Sequence, residues 1–170
     1  MRKFFYTIAL ILALGSVKAQ DIFGAARAND TVQIANYIKQ GIDINQANPK
    51  GFTPFILAVY NNNIDAVKFL LKNGAKTDAQ DLSGNTALMG ATFKGYVEMT
   101  NLLVNEGKAN VNQLNSNGAT ALIFAATFGQ VEIIKILLDA GADRSIKDGR
   151  GKTAKDHAVM QENETIIKML

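Results

Sequence analysis

Glycine recurs along this chain at a spacing of 33 or 34 residues, and this repeat restricts the fold more than any other feature. Two glycine series have the spacing, and a threonine and an alanine follow each glycine of the first series at constant distances. The sets are Gly51, Gly84, Gly118 and Gly151; Gly41, Gly74, Gly107 and Gly141; Thr53, Thr86, Thr120 and Thr153; and Ala58, Ala91, Ala125 and Ala158. Such a period indicates a solenoid, because each unit buries its apolar face only by stacking on its neighbours.

The period divides the chain into repeats. We place an N-terminal repeat at 21–50, internal repeats at 51–83, 84–117 and 118–150, and a C-terminal cap at 151–170. The first repeat lacks the glycine and threonine start, and in the last one Lys155 stands where Phe55, Leu88 and Leu122 stand in the others. Both departures are typical of end repeats, since a capping unit needs a polar outer face. The extra residue of the 34-residue step lies near Lys108, and we interpret it as slack in a surface loop.

Each landmark has a physical role in a pair of helices joined by a turn. A threonine at a helix start accepts a hydrogen bond from a free backbone N–H, and proline is tolerated in the first turn, as at Thr53-Pro54. The alanines are small enough for helices of neighbouring repeats to pack closely. The second glycine series, which includes Gly107, suits left-handed residues that end the second helix.

The second helix of each repeat has apolar residues at helical spacing, which predicts one buried face. These residues are Ile64, Val67, Leu70 and Leu71; Val97, Leu103 and Val104; and Val131, Ile134, Leu137 and Leu138. Thr100 replaces an apolar residue on this face. We expect its hydroxyl to bond to the carbonyl four residues earlier, which makes its burial tolerable.

The segments that begin at the threonines resemble a known family. Thr53–Ala58, Thr86–Ala91 and Thr120–Ala125 are similar to the Thr-Pro-Leu-His-x-Ala signature of ankyrin repeats, and the likeness extends over about 21–170. Histidine is missing from the fourth position of each segment, so the usual histidine hydrogen bonds are not expected. The resemblance implies an all-α ankyrin-repeat solenoid of helix-turn-helix units joined by β-hairpin-like loops. It also implies that a protein partner binds on the concave surface of helices and hairpins.

Residues 1–19 have the pattern of a secretory signal peptide. Basic Arg2 and Lys3 precede an apolar run that ends near Val17, and the small residues Val17 and Ala19 flank Lys18. We expect cleavage after Ala19 and a periplasmic or secreted protein. The apolar run is shorter than the roughly 20 residues that span a bilayer. The alternative is a membrane-anchored structural scaffold that retains residues 1–19.

Beyond residue 19 the chain has equal numbers of basic and acidic residues. Of its 18 lysines and arginines, Arg2, Lys3 and Lys18 precede residue 20, which leaves 15 against 15 aspartates and glutamates. A neutral body gives no broad attraction for nucleic acid or for an acidic membrane. We therefore expect no nucleic-acid partner, no membrane contact after signal cleavage, and a monomer.

The sequence lacks residues that catalytic and metal-binding sites commonly require. The sequence has no cysteine and a single histidine, His157, so thiolate metal sites, cysteine nucleophiles and histidine-centred triads are without partners. Gly151-Lys152-Thr153 resembles the end of a phosphate-binding loop, but Ile146 occupies the place of that loop's first glycine. We predict a non-enzymatic protein with no catalytic residues, no cofactor and no metal. The alternative from another class is a small hydrolase.

Aromatic residues near the ends of the first helices are the candidates for binding an as yet unknown protein partner. Tyr60 and Phe93 lie two residues beyond the motif alanines, and Phe128 is one residue further along in the next repeat. Exposed aromatic side chains clustered on one face mark interfaces. Three more candidates border this strip: Lys94, Leu82 and Leu114. The alternative is that the rings only fill gaps between stacked helices.

Overall fold

The structure is a computed structural model that describes residues 21–170, and these residues form ten α-helices in five consecutive pairs. The first helices of the pairs are α1 (Ile22–Arg27), α3 (Pro54–Tyr60), α5 (Ala87–Lys94), α7 (Ala121–Thr127) and α9 (Ala154–Met160). The second helices are α2 (Thr31–Lys39), α4 (Ile64–Lys72), α6 (Val97–Asn105), α8 (Val131–Asp139) and α10 (Glu164–Met169). The predicted all-α class is confirmed.

The predicted signal peptide at 1–19 lies outside the described residues. Within 21–170, no helix combines the length and the apolar character that crossing a membrane requires.

Threonine begins four of the five first helices, as the sequence predicts. The Thr53 hydroxyl accepts the backbone N–H of Ile56 at 3.2 Å, and Thr86, Thr120 and Thr153 cap α5, α7 and α9 in the same way. Each bond satisfies one of the backbone donors that a helix leaves free in its first turn. The capping role of the motif threonines is confirmed.

A hairpin loop leads into each of the last four helix pairs, and an asparagine or aspartate organises it. Oδ1 of this residue accepts backbone N–H groups from the residues two and four positions later, at 2.8–3.1 Å. The residues are Asn48, Asp81, Asn115 and Asp148. Across 21–170 the one β-bridge joins Gln80 to Thr86. The loops are therefore hairpin-like turns without extended strands, as the resemblance implies.

Single backbone bonds join neighbouring hairpin loops. The Ser116 N–H donates to the Ser83 carbonyl at 3.1 Å, and the Gly149 N–H donates to the Asn117 carbonyl at 2.7 Å. Each loop after the first is thus held both by its own Asn or Asp and by the loop before it. The loops form a connected row beside the first helices.

The first helices of neighbouring pairs pack against one another more extensively than the second helices do. Ala58, Ala91 and Ala125 are fully buried in the core, which agrees with the close packing that small side chains allow. A stack that is tighter on one side curves toward that side. We call the hairpin loops 48–53, 81–86, 115–120 and 148–153, together with α1, α3, α5, α7 and α9, the inner face.

The second helices bury the faces that the sequence predicts. Of the predicted residues, the fully buried ones are Val67, Leu70, Leu103, Ile134 and Leu137, and the partly buried ones are Ile64, Leu71, Val97, Val131 and Leu138. Three fully buried neighbours were not predicted: Ala66, Met99 and Ile133. The helical spacing of apolar residues was therefore sufficient to identify the core side of these helices.

The extra residue of the longer repeat changes the end of α6. Three of the four glycines in the second series have the predicted left-handed conformation, but Gly107 does not, and Lys108 adopts it with a φ of 52°. The prediction for Gly107 is wrong. The Ala109 N–H bonds to the Leu103 carbonyl six residues back at 3.0 Å, whereas the matching bond in the other repeats spans five residues. This closing turn accommodates the inserted residue, so the left-handed conformation shifts by one residue, from Gly107 to Lys108.

Thr100 is fully buried on α6, but its hydroxyl does not form the expected bond. Within residues 21–170, neither its Oγ1 nor that of Thr92 on α5 has a hydrogen-bond partner. The backbone bond that we predicted for Thr100 occurs at Thr127, whose hydroxyl donates to the Ile123 carbonyl at 2.8 Å. The prediction for Thr100 is therefore wrong, and two hydroxyls of the 84–117 repeat are buried without a partner.

The last helix pair has a mixed outer side. Lys155 is exposed, and so are the apolar side chains of Val159 and Met160. The residues that correspond to Val159 in the preceding repeats are fully buried, because another repeat covers them. They are Val59, Thr92 and Ala126.

Candidate functional site

Two phenylalanines form the most exposed aromatic contact of the inner face. Phe93 lies in the last turn of α5 and Phe128 directly follows α7, and their side chains are 48% and 47% exposed. Their ring centroids are 5.0 Å apart with the rings at 89°, an edge-to-face arrangement. Such a contact is favourable between aromatic rings and fixes both side chains. The pair is a preformed apolar surface open to solvent.

Tyr60 stands apart from these two because it packs into the stack. Its ring is half-buried and lies 5.8 Å from the ring of Phe52, centroid to centroid. A Cβ added to Gly90 in the next repeat would come within 2.7 Å of the Tyr60 ring, so the glycine leaves room for it. Burial raises the pKa of the Tyr60 phenol, and the negative charge of Asp81 raises it further. Tyr60 therefore connects two repeats, and it also lines an apolar pocket together with Phe93.

A small apolar pocket lies between these aromatic residues. Its volume is about 220 Å³, and it is lined by Tyr60, Asn85, Met89, Phe93 and Phe124. This volume corresponds to about seven waters at roughly 30 Å³ each. It is therefore large enough to hold one bulky side chain. The structure thus brings Tyr60 and Phe93 together around one cavity.

A larger cleft adjoins this pocket. It encloses about 680 Å³ between hairpin residues 115–119 and 148–150 and the α7 side, with His157 of α9 at its base. Phe124 and Phe128 line it, and Phe124 also lines the smaller pocket, so the two cavities adjoin at this side chain. A volume of this size is typical of ligand-binding clefts.

An Asp148–His157 pair forms one wall of the cleft, and the sequence analysis missed it. His157 Nε2 lies 2.9 Å from Asp148 Oδ2, and both side chains are only 7% exposed. The N–H of Lys152 does most to lower the pKa of Asp148, to about 2; burial opposes this, and His157 and the Arg150 N–H lower it further. Because the ionised carboxylate only accepts hydrogen bonds, Nε2 carries the hydrogen. The period of Asn48, Asp81, Asn115 and Asp148 was a signal in the sequence, but the contact with His157 needed the fold.

The remaining candidates lie beside these cavities without lining them. Leu82 and Leu114 are exposed on the hairpin loops, Leu82 by 76%, and Lys94 is exposed at the end of α5 next to Phe93. Neither leucine lines the cleft or the smaller pocket. Of the six candidates, Phe93 contacts Phe128 and lines the smaller pocket together with Tyr60, and Lys94 follows Phe93 at the end of α5.

Metal binding needs several ligands close together. Among residues 21–170 no group of three or more histidine, cysteine, aspartate or glutamate side chains is placed to hold a metal ion.

A comparison with known families assigns the repeats. A family model described as ankyrin repeats, in three copies, matches residues 22–115 and 94–170. The chain belongs to the ankyrin-repeat family. Ankyrin repeats generally mediate protein–protein interaction, and Phe93 and Phe128 are exposed apolar side chains of this ankyrin domain that lie close together beside a cleft.

Ankyrin-repeat proteins of different kinds are similar to this chain. It is 30% identical over 158 residues to a protein of Danio rerio named as the palmitoyltransferase ZDHHC13, over 92% of the chain and 24% of the relative. It is 35% identical over 117 residues to an ankyrin repeat-containing protein of Treponema pallidum, over 68% of the chain and 39% of the relative. It is 33% identical over 123 residues to the nuclear factor NF-kappa-B p105 subunit of Gallus gallus, over 71% of the chain and 12% of the relative.

The chain spans at most 39% of the length of these three relatives. Their names describe different activities, and the part that they share with this chain is the ankyrin repeats. The likeness therefore concerns the repeat framework, while function depends on the residues that each repeat presents.

Proposed function

We propose that this chain is a non-enzymatic binding module, exported to the cell envelope, that holds a protein partner on its inner face. The observation that supports this most is the exposed Phe93–Phe128 pair beside the cleft. Aromatic anchors next to a concave surface are typical of protein interfaces. The stacked repeats hold this surface rigid, so a partner binds without a large ordering cost.

The polar groups of the cleft favour binding over catalysis because they already serve the fold. Asn115 and Asp148 each accept two backbone N–H groups in their own hairpin loops. His157 is held by Asp148, and the Thr127 hydroxyl bonds to a backbone carbonyl. A hydrolase needs a nucleophile within hydrogen-bond reach of a base that is free to take its proton. The groups of this cleft are arranged to support loops.

Capture of the partner tests the binding proposal. The full-length protein, expressed with a C-terminal tag, is used to capture proteins from an envelope extract, beside the variant Phe93→Ala/Phe128→Ala. The control Val32→Ala removes an apolar side chain that is exposed on the second helix α2, away from the inner face. We expect the control and the unaltered protein to capture the same proteins and the double variant to lose them. Capture that is equal for all three would contradict the proposed surface.

Export rests on the signal-like pattern of residues 1–19. The mass of the N-terminal peptide of the native protein tests it, because signal cleavage after Ala19 leaves Gln20 as the first residue. A protein that keeps Met1 and fractionates with membranes would refute export of a free module. It would support the membrane-anchored scaffold in its place.

A further inference from the structure

Basic side chains are concentrated on the inner face of this otherwise neutral domain. Of the 15 basic and 15 acidic residues beyond residue 20, five basic and three acidic ones lie on the inner face. The five basic residues, all exposed, are Arg27, Lys50, Lys94, Arg150 and Lys152. Lys155 belongs to α9 but lies on the outer side of the last helix pair, at the position of Phe55, Leu88 and Leu122. The inner face therefore has a formal charge of +2, and the remaining ten basic and twelve acidic residues of 21–170 have a formal charge of −2.

The three carboxylates of the inner face are engaged in local hydrogen bonds. Asp81 accepts two backbone N–H groups of its own loop, and Asp148 accepts two more as well as His157. Asp156 accepts the N–H and the hydroxyl of Thr153, both at 2.8 Å. Within residues 21–170, Arg150 alone among the five cations has a carboxylate oxygen within 4.0 Å, at 3.9 Å. The cations are therefore available to a partner.

Two of the basic residues lie near the apolar pocket. Lys94 follows Phe93 directly in the sequence, and Arg150 lines the cleft that shares Phe124 with the pocket. No charged residue lines the pocket itself. A ligand that fits both features has negative charges on either side of one bulky apolar group.

We propose that the inner face binds an acidic polypeptide segment, with one bulky apolar side chain of that segment in the pocket between Tyr60, Phe93 and Phe124. This proposal rests on the proposed function and adds the chemistry of the partner. A single-stranded nucleic acid also combines negative charge with groups that stack on aromatic rings. The pocket favours a peptide because Met89 and Asn85 line it together with the aromatic rings, and a recess between side chains suits a flexible side chain better than a base stacked on an open ring.

A synthetic probe tests the partner's chemistry. The probe is a fluorescein-labelled peptide of about twelve residues, long enough to cross several hairpin loops when extended, with a central leucine among glutamates. Binding to the purified protein is measured by fluorescence anisotropy. Three comparison ligands are a peptide with lysines in place of the glutamates, a peptide with serine in place of the leucine, and an oligo-dT of matched charge.

We expect the acidic peptide to bind and its affinity to fall about tenfold or more between low and high salt, because exposed charges are screened. The variants Phe93→Ala/Phe128→Ala and Lys94→Glu/Arg150→Glu should each weaken binding about tenfold or more. The matched control Lys68→Glu/Lys72→Glu reverses two exposed cations of α4, outside the inner face, and should leave the affinity unchanged. The serine peptide should bind more weakly than the leucine peptide.

Equal or tighter binding of the lysine peptide or of oligo-dT would overturn the proposal. So would an unchanged affinity of the Lys94→Glu/Arg150→Glu protein, or failure of the acidic peptide to bind. None of these outcomes by itself contradicts the proposed function. If envelope proteins are still captured in a way that depends on Phe93 and Phe128, the binding module stands and the acidic chemistry alone is wrong.

Discussion

Two buried hydroxyls distinguish the 84–117 repeat at the level of single residues. Thr92 and Thr100 are fully buried, and their hydroxyls have no partner within residues 21–170. The corresponding residues of the preceding repeat, Val59 and Val67, are buried as completely. An unpaired buried hydroxyl costs about 1–3 kcal/mol, and valine has almost the same shape as threonine. The repeat is therefore less stable than its packing allows.

We predict that Thr100→Val raises the free energy of unfolding by about 1–2 kcal/mol, because it removes a desolvated hydroxyl and keeps the packing. Chemical denaturation of both proteins measures the difference. The control is Thr127→Val, which removes a hydroxyl that is bonded to the Ile123 carbonyl. Thr127→Val should bring no such gain. If Thr100→Val instead lowers the stability, the Thr100 hydroxyl has a hydrogen-bond partner after all.

The Asp148 carboxylate links the last hairpin loop to α9 through His157. Its pKa in the folded protein is about 2, below the ordinary value of 3.8, chiefly because the Lys152 N–H bonds to it. A group whose pKa is lowered on folding stabilises the fold when it is ionised. This contribution is complete above about pH 4 and is lost as the pH falls through about 2.

The variant Asp148→Asn tests the contact with His157 separately from the hairpin turn. Asparagine already organises the same loop position at Asn48 and Asn115, so the turn should persist. We expect a loss of about 1.5–3 kcal/mol near neutral pH, the usual range for a hydrogen bond to a charged group. The difference from the unaltered protein should shrink as the pH approaches about 2. Urea denaturation across this pH range measures it.

The control for this change is Asp81→Asn, because Asp81 has the same two backbone bonds and no histidine partner. A difference between Asp148→Asn and the unaltered protein that stays constant down to about pH 2 would show that the carboxylate's charge is not its source.

At the level of the helices, the insertion after α6 places a lysine where the neighbouring repeats have glycine. Lys108 has a φ of 52°, and side chains with a Cβ are strained there by roughly 1–2 kcal/mol. We predict that Lys108→Gly raises the free energy of unfolding by about 0.5–1 kcal/mol, because it relieves that strain. The melting temperature should rise by a few degrees or less.

The reverse change is the matched control. Gly141 has a φ of 84°, and a Cβ added there meets no atom within 4 Å. Gly141→Lys should therefore destabilise through backbone strain alone, by a similar amount. If Lys108→Gly proves neutral while Gly141→Lys is costly, the closing turn of α6 has relaxed around its lysine.

The helices could be predicted from the sequence because their signals are local. Thr53 and its counterparts cap helices through a bond to a residue three positions away, and apolar spacing within one helix identifies its core face. The predictions that were wrong and the contact that was missed depend on neighbouring elements. Lys108 adopts the left-handed conformation in place of Gly107 because the insertion shifted one closing turn. Asp148 contacts His157 because a loop folds against the helix that follows it.

The candidate site was predictable in part for the same reason. The period brought Tyr60 and Phe93 to equivalent places, and both line one pocket. Tyr60 is half-buried rather than exposed because the next repeat presents Gly90 at the position that Leu57 occupies in its own repeat. A substitution in one repeat therefore changed the environment of a residue in another, which no single-repeat pattern reveals.

For the domain as a whole, equal numbers of basic and acidic residues conceal an uneven distribution. The count of 15 against 15 beyond residue 20 excludes a strongly basic body, but the fold assigns a formal +2 to the inner face and −2 to the rest of 21–170. Such an uneven charge distribution orients a charged partner as it approaches and adds little to the stability of the fold. We therefore attribute stability to the stack and propose recognition as the role of the inner face.

If stability and recognition are separable, the three aromatic candidates should behave differently on substitution. Tyr60→Ala removes a ring packed on Phe52 and on the next repeat, so we expect it to lower the free energy of unfolding by about 1–3 kcal/mol. Phe93→Ala/Phe128→Ala removes half-exposed rings, so we expect a loss of about 1 kcal/mol or less. The double variant should nevertheless lose the captured partner.

A second change tests the reason given for Tyr60. In Tyr60→Ala/Gly90→Leu, the leucine takes the space that the ring leaves and matches Leu57 of the preceding repeat. We expect it to recover part of the lost stability, because it refills a cavity between two helices. Thermal melting of the four proteins, alongside their partner capture, separates the two roles. Stability that collapses in Phe93→Ala/Phe128→Ala, with capture intact in the fraction that stays folded, would show that these rings fill gaps between helices and that the contact surface lies at the hairpin leucines Leu82 and Leu114.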